Sequence, residues 1–112
     1  MATEKRQYPR VKIFWPVILV TDSGIIRGRT ENLSLVGTLI HCSGIPELPY
    51  NFRLVFRPAE RQLLIVTAEK VWSNTIVNNN SMSHAMGVRF TYMPDHERKL
   101  LLLMIKHHFK SD

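Results

Sequence analysis

The sequence predicts an all-β fold, a closed or nearly closed antiparallel barrel with one C-terminal α-helix packed on it. Three observations predict this class: several short β-branched or alternating segments, turn signals every few residues, and a single helical segment at the end of the chain. The 112 residues suit one domain, and a composition of 45% hydrophobic and 21% charged residues is typical of a globular protein.

The strands follow a short polar arm. Residues 1–10 are polar and basic and lack a hydrophobic period, so we expect a flexible arm there and a single barrel domain over 11–112. Strands are predicted over residues 17–20, 25–30, 38–42, 52–57, 63–72 and 85–92. Turns or loops are predicted over residues 21–24, 43–49, 58–61 and 73–83.

One helix is predicted over about 95–110. Asp95 is a suitable N-cap, and Glu97 complements the positive end of the helix dipole. The apolar run 100–105, together with Phe109, covers most of the helix circumference. We therefore expect a broad helix face to be buried against the barrel or against a partner.

The charge of the chain favours an anionic ligand. Fifteen Lys and Arg against nine Asp and Glu give a net charge of +6 and a sequence pI near 9.9. A nucleotide, a nucleic acid or an acidic lipid would suit this bias, and charge alone does not choose among them.

Several features predict a cytoplasmic protein. No segment approaches the roughly 18 apolar residues of a membrane span, and residues 1–6 do not resemble a secretory signal. The single cysteine, Cys42, cannot form an internal disulfide, which suits a reducing compartment. We expect Cys42 to be a small buried hydrophobe on a strand.

The sequence does not predict an enzyme. Its five histidines show no metal-ligand spacing with Cys42 or with carboxylates. No nucleophile has a recognisable catalytic setting, and no glycine-rich loop could cradle a phosphate. We therefore expect no catalytic residue, no metal and no cofactor.

Two short patterns carry the functional prediction. Arg6 and Arg10 form an Arg-x-x-x-Arg pattern where the arm meets the barrel, and Asn32, Ser34 and Gly37 form an Asn-x-Ser-x-x-Gly pattern before a strand. The arginine spacing recurs elsewhere in the chain, whereas the second pattern occurs once. Taken separately, the arginines could be a solvated tail and the second pattern a hydrogen-bonded turn.

Together the two patterns, separated by 21 residues, resemble the signature of the PilZ domain family. The likeness covers nearly the whole chain, through 10–17, 71–72, 86–90 and 94–97. The resemblance implies a six-stranded antiparallel PilZ-type β-barrel with a C-terminal α-helix packed on it. It also implies that the ligand is the bacterial second messenger cyclic di-GMP, and that the arm becomes ordered on binding.

The chemistry of the predicted site residues suits this ligand. A guanidinium such as Arg6 or Arg10 can fork onto phosphate oxygens or guanine edges and can stack on a base. Asn32 and Ser34 offer short donors and acceptors for guanine, and Gly37 lets the backbone turn sharply or approach the ligand.

Four further positions complete the prediction. Lys5 could add a phosphate contact, and Trp72, at a predicted strand end, could stack on a guanine or simply pack. Arg89 could lie near the ligand or be an ordinary exposed strand residue. Val36 stands where many relatives have a second glycine, and a β-branched residue would stiffen the turn and could affect affinity.

We therefore predict a non-catalytic receptor or adaptor that binds cyclic di-GMP and signals through an unidentified output protein. The resemblance suggests control of motility, exopolysaccharide synthesis or biofilm formation. One alternative is a PilZ-like adaptor that binds no nucleotide and acts through its leucine-rich helix or barrel face. Another is a small basic barrel for single-stranded nucleic acid, but such a barrel needs aligned aromatic platforms, and the aromatic residues are scattered. Both a monomer and a homodimer remain open.

Overall fold

The computed structural model describes residues 10–43, 48–59 and 62–110, and its strands close into a six-stranded antiparallel barrel. The strands are β1 Pro16–Thr21, β2 Gly24–Leu33, β3 Gly37–Ser43, β4 Asn51–Ala59, β5 Gln62–Asn78 and β6 Ser81–Tyr92. A single helix, α1, follows at Asp95–Lys110. Around the barrel the strands run β1-β2-β3-β6-β5-β4, and β4 pairs with β1. The predicted fold class and the C-terminal helix are confirmed.

Alternating side chains fill the barrel. In β4, Phe52, Leu54 and Phe56 point inward and are buried, while Arg53 and Arg57 are exposed. Each of the other strands contributes inward residues in the same way, the largest fully buried ones being Val17, Leu19, Leu33, Ile40, Leu64 and Met86. Phe56 also meets Trp15 and Phe90 edge-on, with ring centroids 6.3 and 5.9 Å away.

Cys42 is one of these inward residues. It lies on β3 and is 5% exposed, and burial raises the pKa of its thiol. The prediction of a small buried hydrophobe is confirmed.

The segment before β1 is hydrogen-bonded to the end of β2. Val11 and Leu33 exchange two backbone hydrogen bonds of 2.9 Å each. The buried Thr30 hydroxyl donates to the Ile13 carbonyl at 2.6 Å and accepts from the Trp15 N–H at 2.8 Å. These contacts hold the start of the barrel, and therefore Arg10, beside the end of β2.

The prediction of a loop over 73–83 is wrong, because the structure has a β5–β6 hairpin there. β5 continues to Asn78 and β6 begins at Ser81, so the turn is only two residues long. Asn79 takes the left-handed conformation with φ 49°, which asparagine tolerates better than most residues. Residues 70–83 are all exposed, so their polarity reflects solvent on both faces of the hairpin. Trp72 consequently lies within a strand, and its prediction as a strand end is wrong.

The predicted turn over 58–61 is wrong for its first two residues. β4 continues through Pro58 to Ala59, and the pairing with β5 shifts register between Phe56 and Ala59. Proline has no N–H to donate, so a strand accommodates it where the ladder is interrupted.

The helix is buried along a narrower face than predicted. Leu101 and Ile105 are 1% and 5% exposed and join the core, whereas Leu103 is 63% exposed. The Pro94 carbonyl accepts the Arg98 N–H at 2.9 Å, so Asp95 is the first helical residue and not the N-cap. Within the described ranges, no helix is long and apolar enough to cross a membrane.

Candidate functional site

A row of four residues runs across the outer face of β2, β3, β6 and β5. Asn32 pairs with Leu39, Leu39 with Gly87, and Gly87 with Trp72. Neighbouring strands lie about 4.8 Å apart, so the row spans roughly 14 Å. Gly87 has no side chain, and the Trp72 indole lies over it at one end of the row.

A second row lies beside the first. Arg89 on β6 is opposite Gly37 on one side and opposite Glu69 on the other. The Arg89 guanidinium forms an ion pair with the Glu69 carboxylate, and the Arg89 side chain remains 63% exposed. The ion pair thus fixes the positively charged Arg89 side chain on a solvent-exposed face.

Two β-bulges flank the rows. The β2–β3 pairing shifts register between Thr30 and Asn32, and the β5–β6 pairing shifts between Lys70 and Trp72. A bulge adds one residue to one strand and changes which side chains point outward. This explains why Thr30 and Leu33 are both buried while Asn32, between them, lines the outer face.

Ser34 shapes the turn that leads into β3. Its Oγ accepts the N–H groups of Val36 and Gly37 at 3.2 Å each and donates to the Gly37 carbonyl at 3.3 Å. The Ser34 N–H also donates to that carbonyl at 2.9 Å. Ser34 is only 2% exposed, so its hydroxyl is already engaged within the turn.

Gly37 is required by close packing and not by an unusual backbone angle. Its φ is not positive, and a Cβ there would collide with the carbonyl oxygen of Val88. Val36 also has an ordinary φ, and its carbonyl accepts the Phe90 N–H at 2.8 Å. The turn therefore accommodates valine at position 36 without strain.

These elements enclose a cavity of about 390 Å³. Six of its lining residues are sites that the sequence predicted: Arg10, Asn32, Ser34, Gly37, Trp72 and Arg89. The other six are Val36, Thr38, Leu39, Val71, Gly87 and Val88. Lys5 and Arg6 lie outside the described residues.

The carboxylate beside the cavity is strongly engaged. The Arg89 guanidinium and, after it, the Tyr50 hydroxyl hold the pKa of Glu69 below its usual range. The hydrogen bond to Glu69 and the charge of that carboxylate raise the pKa of Tyr50. Glu69 therefore stays ionised, and it anchors Arg89 at the cavity edge.

Comparison with known proteins identifies the family. A sequence profile of the PilZ domain matches residues 4–107. The chain belongs to the PilZ family. A comparison with curated proteins gives no match.

Solved structures share the fold of this PilZ domain. The inhibitor of motility MotI/DgrA of Bacillus subtilis has a TM-score of 0.76 and 17% identity, over 98% of this chain and 54% of that protein. The PilZ domain of Escherichia coli YcgR with c-di-GMP has a TM-score of 0.74 and 14% identity, over 96% and 94% of the two chains. The K. pneumonia MrkH–c-di-GMP complex has a TM-score of 0.73 and 15% identity, over 98% and 57%. The chain thus spans little more than half of MotI/DgrA and of MrkH.

Sequence reasoning missed three residues that shape the PilZ site. A Cβ on Gly87 would come within 2.8 Å of Trp72 Cε2, so glycine is what lets the indole lie against β6. Glu69 was missed because its role depends on the pairing of β5 with β6. Tyr50 was missed because only the pairing of β4 with β5 sets its neighbour Asn51 opposite Glu69. Among the described residues, no group of three or more His, Cys, Asp or Glu could hold a metal.

Proposed function

We propose that this PilZ domain is a non-catalytic receptor for cyclic di-GMP. The observation that carries the proposal is that residues from two sequence patterns 21 residues apart line one cavity. Arg10 from the first pattern meets Asn32, Ser34 and Gly37 from the second, with Trp72 on the same cavity. The c-di-GMP complexes of the YcgR PilZ domain and of MrkH, which share the fold, support the same ligand class.

The lining residues suit the parts of the ligand. Arg10, and Arg6 on the arm, would fork onto phosphate oxygens or guanine edges, which lysine could do only as a point charge. The Trp72 indole, 47% exposed, would offer a flat face to a guanine, and Asn32 would bind a guanine edge. Ser34 and Gly37 would act mainly by fixing the turn, since the Ser34 hydroxyl is engaged there.

The role of the arm follows from where the barrel begins. The Val11–Leu33 bridge fixes the chain immediately after Arg10 at the cavity. We propose that residues 1–10 form an arm that orders over the ligand on the barrel domain of 11–112, with Lys5 and Arg6 as added contacts. Ordering has an entropic cost, which the charge-assisted hydrogen bonds would offset. The surface made of ligand and closed arm would be read by an output protein in the cytoplasm.

The test is calorimetric titration of cyclic di-GMP into the wild type, Arg10→Ala and the matched control Arg98→Ala. Arg98 is an exposed arginine on α1 that does not line the cavity. We expect saturable binding by the wild type and the control, and loss of about tenfold or more in affinity for Arg10→Ala. Linear GMP should bind far more weakly, because it cannot reach both ends of the row that runs from Asn32 to Trp72.

The same titration distinguishes the alternatives. No heat with the wild type would reject the receptor and favour an adaptor that binds no nucleotide. Equal binding by Arg10→Ala would place the ligand elsewhere than in the cavity.

A further inference from the structure

A second outward surface combines apolar residues with arginines. On β5, β4, β1 and β2, residues Ile65, Val55, Ile18 and Arg27 are paired in one row. The next outward row, in the same strand order, is Thr67, Arg53, Val20 and Ile25. We call these eight residues, together with Leu63 and Arg57, the basic–apolar face.

This face is remote from the cyclic di-GMP cavity. In the closed order β1-β2-β3-β6-β5-β4, β1 lies opposite β6 and β4 lies opposite β3. The cavity is built mainly on β3 and β6, and none of the residues of the basic–apolar face lines it. A partner could therefore occupy this face whether or not the cavity is filled.

The apolar part of the face is exposed to solvent. Leu63, Ile25 and Ile65 are 59%, 55% and 46% exposed, while Ile18 and Val55 are half-buried between them. A hollow of about 760 Å³ lies among Ile18, Val55, Leu63 and the flanking strands. Contiguous exposed apolar surface with a polar rim is typical of an interaction site.

The polar part of the face carries the positive charge of exposed arginines. Arg27 and Arg53 are exposed and form no ion pair with any described residue, and Arg57 lines the hollow. Within the described parts of β1, β2, β4 and β5, the carboxylates are Glu31 and Glu69. These pair with His41 on β3 and Arg89 on β6, away from the basic–apolar face. The face is thus complementary to negative charge.

The shape and composition of the basic–apolar face distinguish among the possible partners. A second copy of the chain would bring the positive charges of two identical faces into one interface, because a two-fold interface pairs a patch with itself. A single-stranded nucleic acid would require aromatic stacking platforms, and this face has none. A membrane surface would cover the exposed Leu63, Ile25 and Ile65 but would leave the hollow beside Ile18 and Val55 unfilled, whereas an inserted side chain can fill it.

We propose that the basic–apolar face is a docking site for an acidic protein segment, one that places an apolar side chain in the hollow between carboxylates directed at Arg27 and Arg53. Carboxylates at these arginines would form charge-assisted, partly bidentate hydrogen bonds. The apolar side chain would cover Ile18 and Val55. This inference does not depend on the binding of cyclic di-GMP.

The experiment uses the full chain, labelled with ¹⁵N, and the peptide acetyl-Glu-Asp-Leu-Phe-Asp-Glu-amide. Amide shifts are followed up to millimolar peptide for the wild type and Arg27→Glu/Arg53→Glu. The matched control, Arg98→Glu/Lys99→Glu, makes the same change of net charge on exposed residues of α1. Two further peptides replace either Leu-Phe by Ser-Ser or all acidic residues by lysine, and vesicles of phosphatidylcholine and phosphatidylglycerol test the membrane.

We expect saturable amide shifts confined to β1, β2, β4 and β5. The affinity for the peptide should be about tenfold or more lower in the Arg27/Arg53 double variant and unchanged in the control. Both altered peptides should lose binding. The milder Arg27→Gln/Arg53→Gln variant, with a wild-type amide spectrum, separates lost contacts from lost folding. The proposal is overturned by no saturable shift, by shifts around the cavity instead, by equal binding of the lysine peptide, or by stronger binding to the vesicles.

Discussion

Gly37 and Gly87 each allow a close approach between β6 and another part of the chain. The group that a side chain would meet differs between the two positions. At Gly37 a Cβ would meet the Val88 carbonyl, which the β3–β6 ladder fixes in place. At Gly87 it would meet the Trp72 indole, which is a surface side chain and can swing away. A side chain at position 37 would therefore disturb the barrel, whereas one at position 87 would disturb mainly the ligand surface.

The substitution Gly87→Ala tests this distinction. We expect it to displace the Trp72 indole, and therefore to change the tryptophan emission and lower the affinity for cyclic di-GMP to that of Trp72→Ala. The midpoint of urea unfolding should move little, because the atoms that yield belong to an exposed side chain. Fluorescence in a Trp15→Phe background isolates the signal of Trp72. Unchanged emission and affinity would show that the indole does not depend on Gly87.

Glu69 gives a prediction in pH. Its pKa lies below the ordinary value of 4.5, chiefly because of Arg89 and then because of Tyr50. A lowered pKa in the folded state stabilises the fold above the unfolded value, and this contribution is lost as the pH falls through the folded value. We expect Arg89→Ala to raise the pKa of Glu69 more than Tyr50→Phe does.

Carboxyl ¹³C shifts followed by NMR during acid titration measure that pKa directly. Arg98→Ala, which removes a distant arginine, should leave the Glu69 titration unchanged. If Tyr50→Phe had the larger effect, the assignment of Arg89 as the main partner would be wrong.

At the scale of elements, helix α1 offers an internal comparison. Leu101 is packed into the core and Leu103 faces solvent, two residues further along the same helix. Leu101→Ala should lower the free energy of unfolding by about 2–5 kcal/mol, since it removes buried methyl groups and leaves a cavity. Leu103→Ala should change it by less than about 0.5 kcal/mol, as expected for an exposed site. Chemical denaturation measures both, and equal effects would mean that α1 is not seated on the barrel through Leu101.

Elements were predictable where alternation or the charges at helix ends were strong and not where solvent covers both faces. The alternation of 52–57 placed β4, and the acidic start and basic end placed α1. The hairpin over 70–83 has no buried face, so its strands carry no hydrophobic period, and the sequence suggested a loop. The two bulges were equally hidden, because only the pairing with a neighbouring strand defines them.

At the scale of the whole molecule, the site depends on contacts between distant parts of the chain. The patterns at Arg10 and Asn32 could be predicted to meet only through the family resemblance, since the Val11–Leu33 bridge has no local signal. Trp72 and Arg89 join them because β3 pairs with β6 across a long connection that contains β4 and β5. Such pairings close the barrel, and neither spacing nor propensity specifies them.

Because the site is built on this closed barrel, occupying it should stabilise the entire domain. A ligand that binds only the folded state adds about 2.7 kcal/mol at a free concentration of about 100 times Kd. For a domain of this size that corresponds to a rise in Tm of roughly 10 °C or more. We expect cyclic di-GMP to produce this rise in the wild type by scanning calorimetry, and neither linear GMP at the same concentration nor the Arg10→Ala variant with cyclic di-GMP to do so. An equal rise in Arg10→Ala would mean that the stabilising ligand binds the barrel outside the cavity that Arg10 lines.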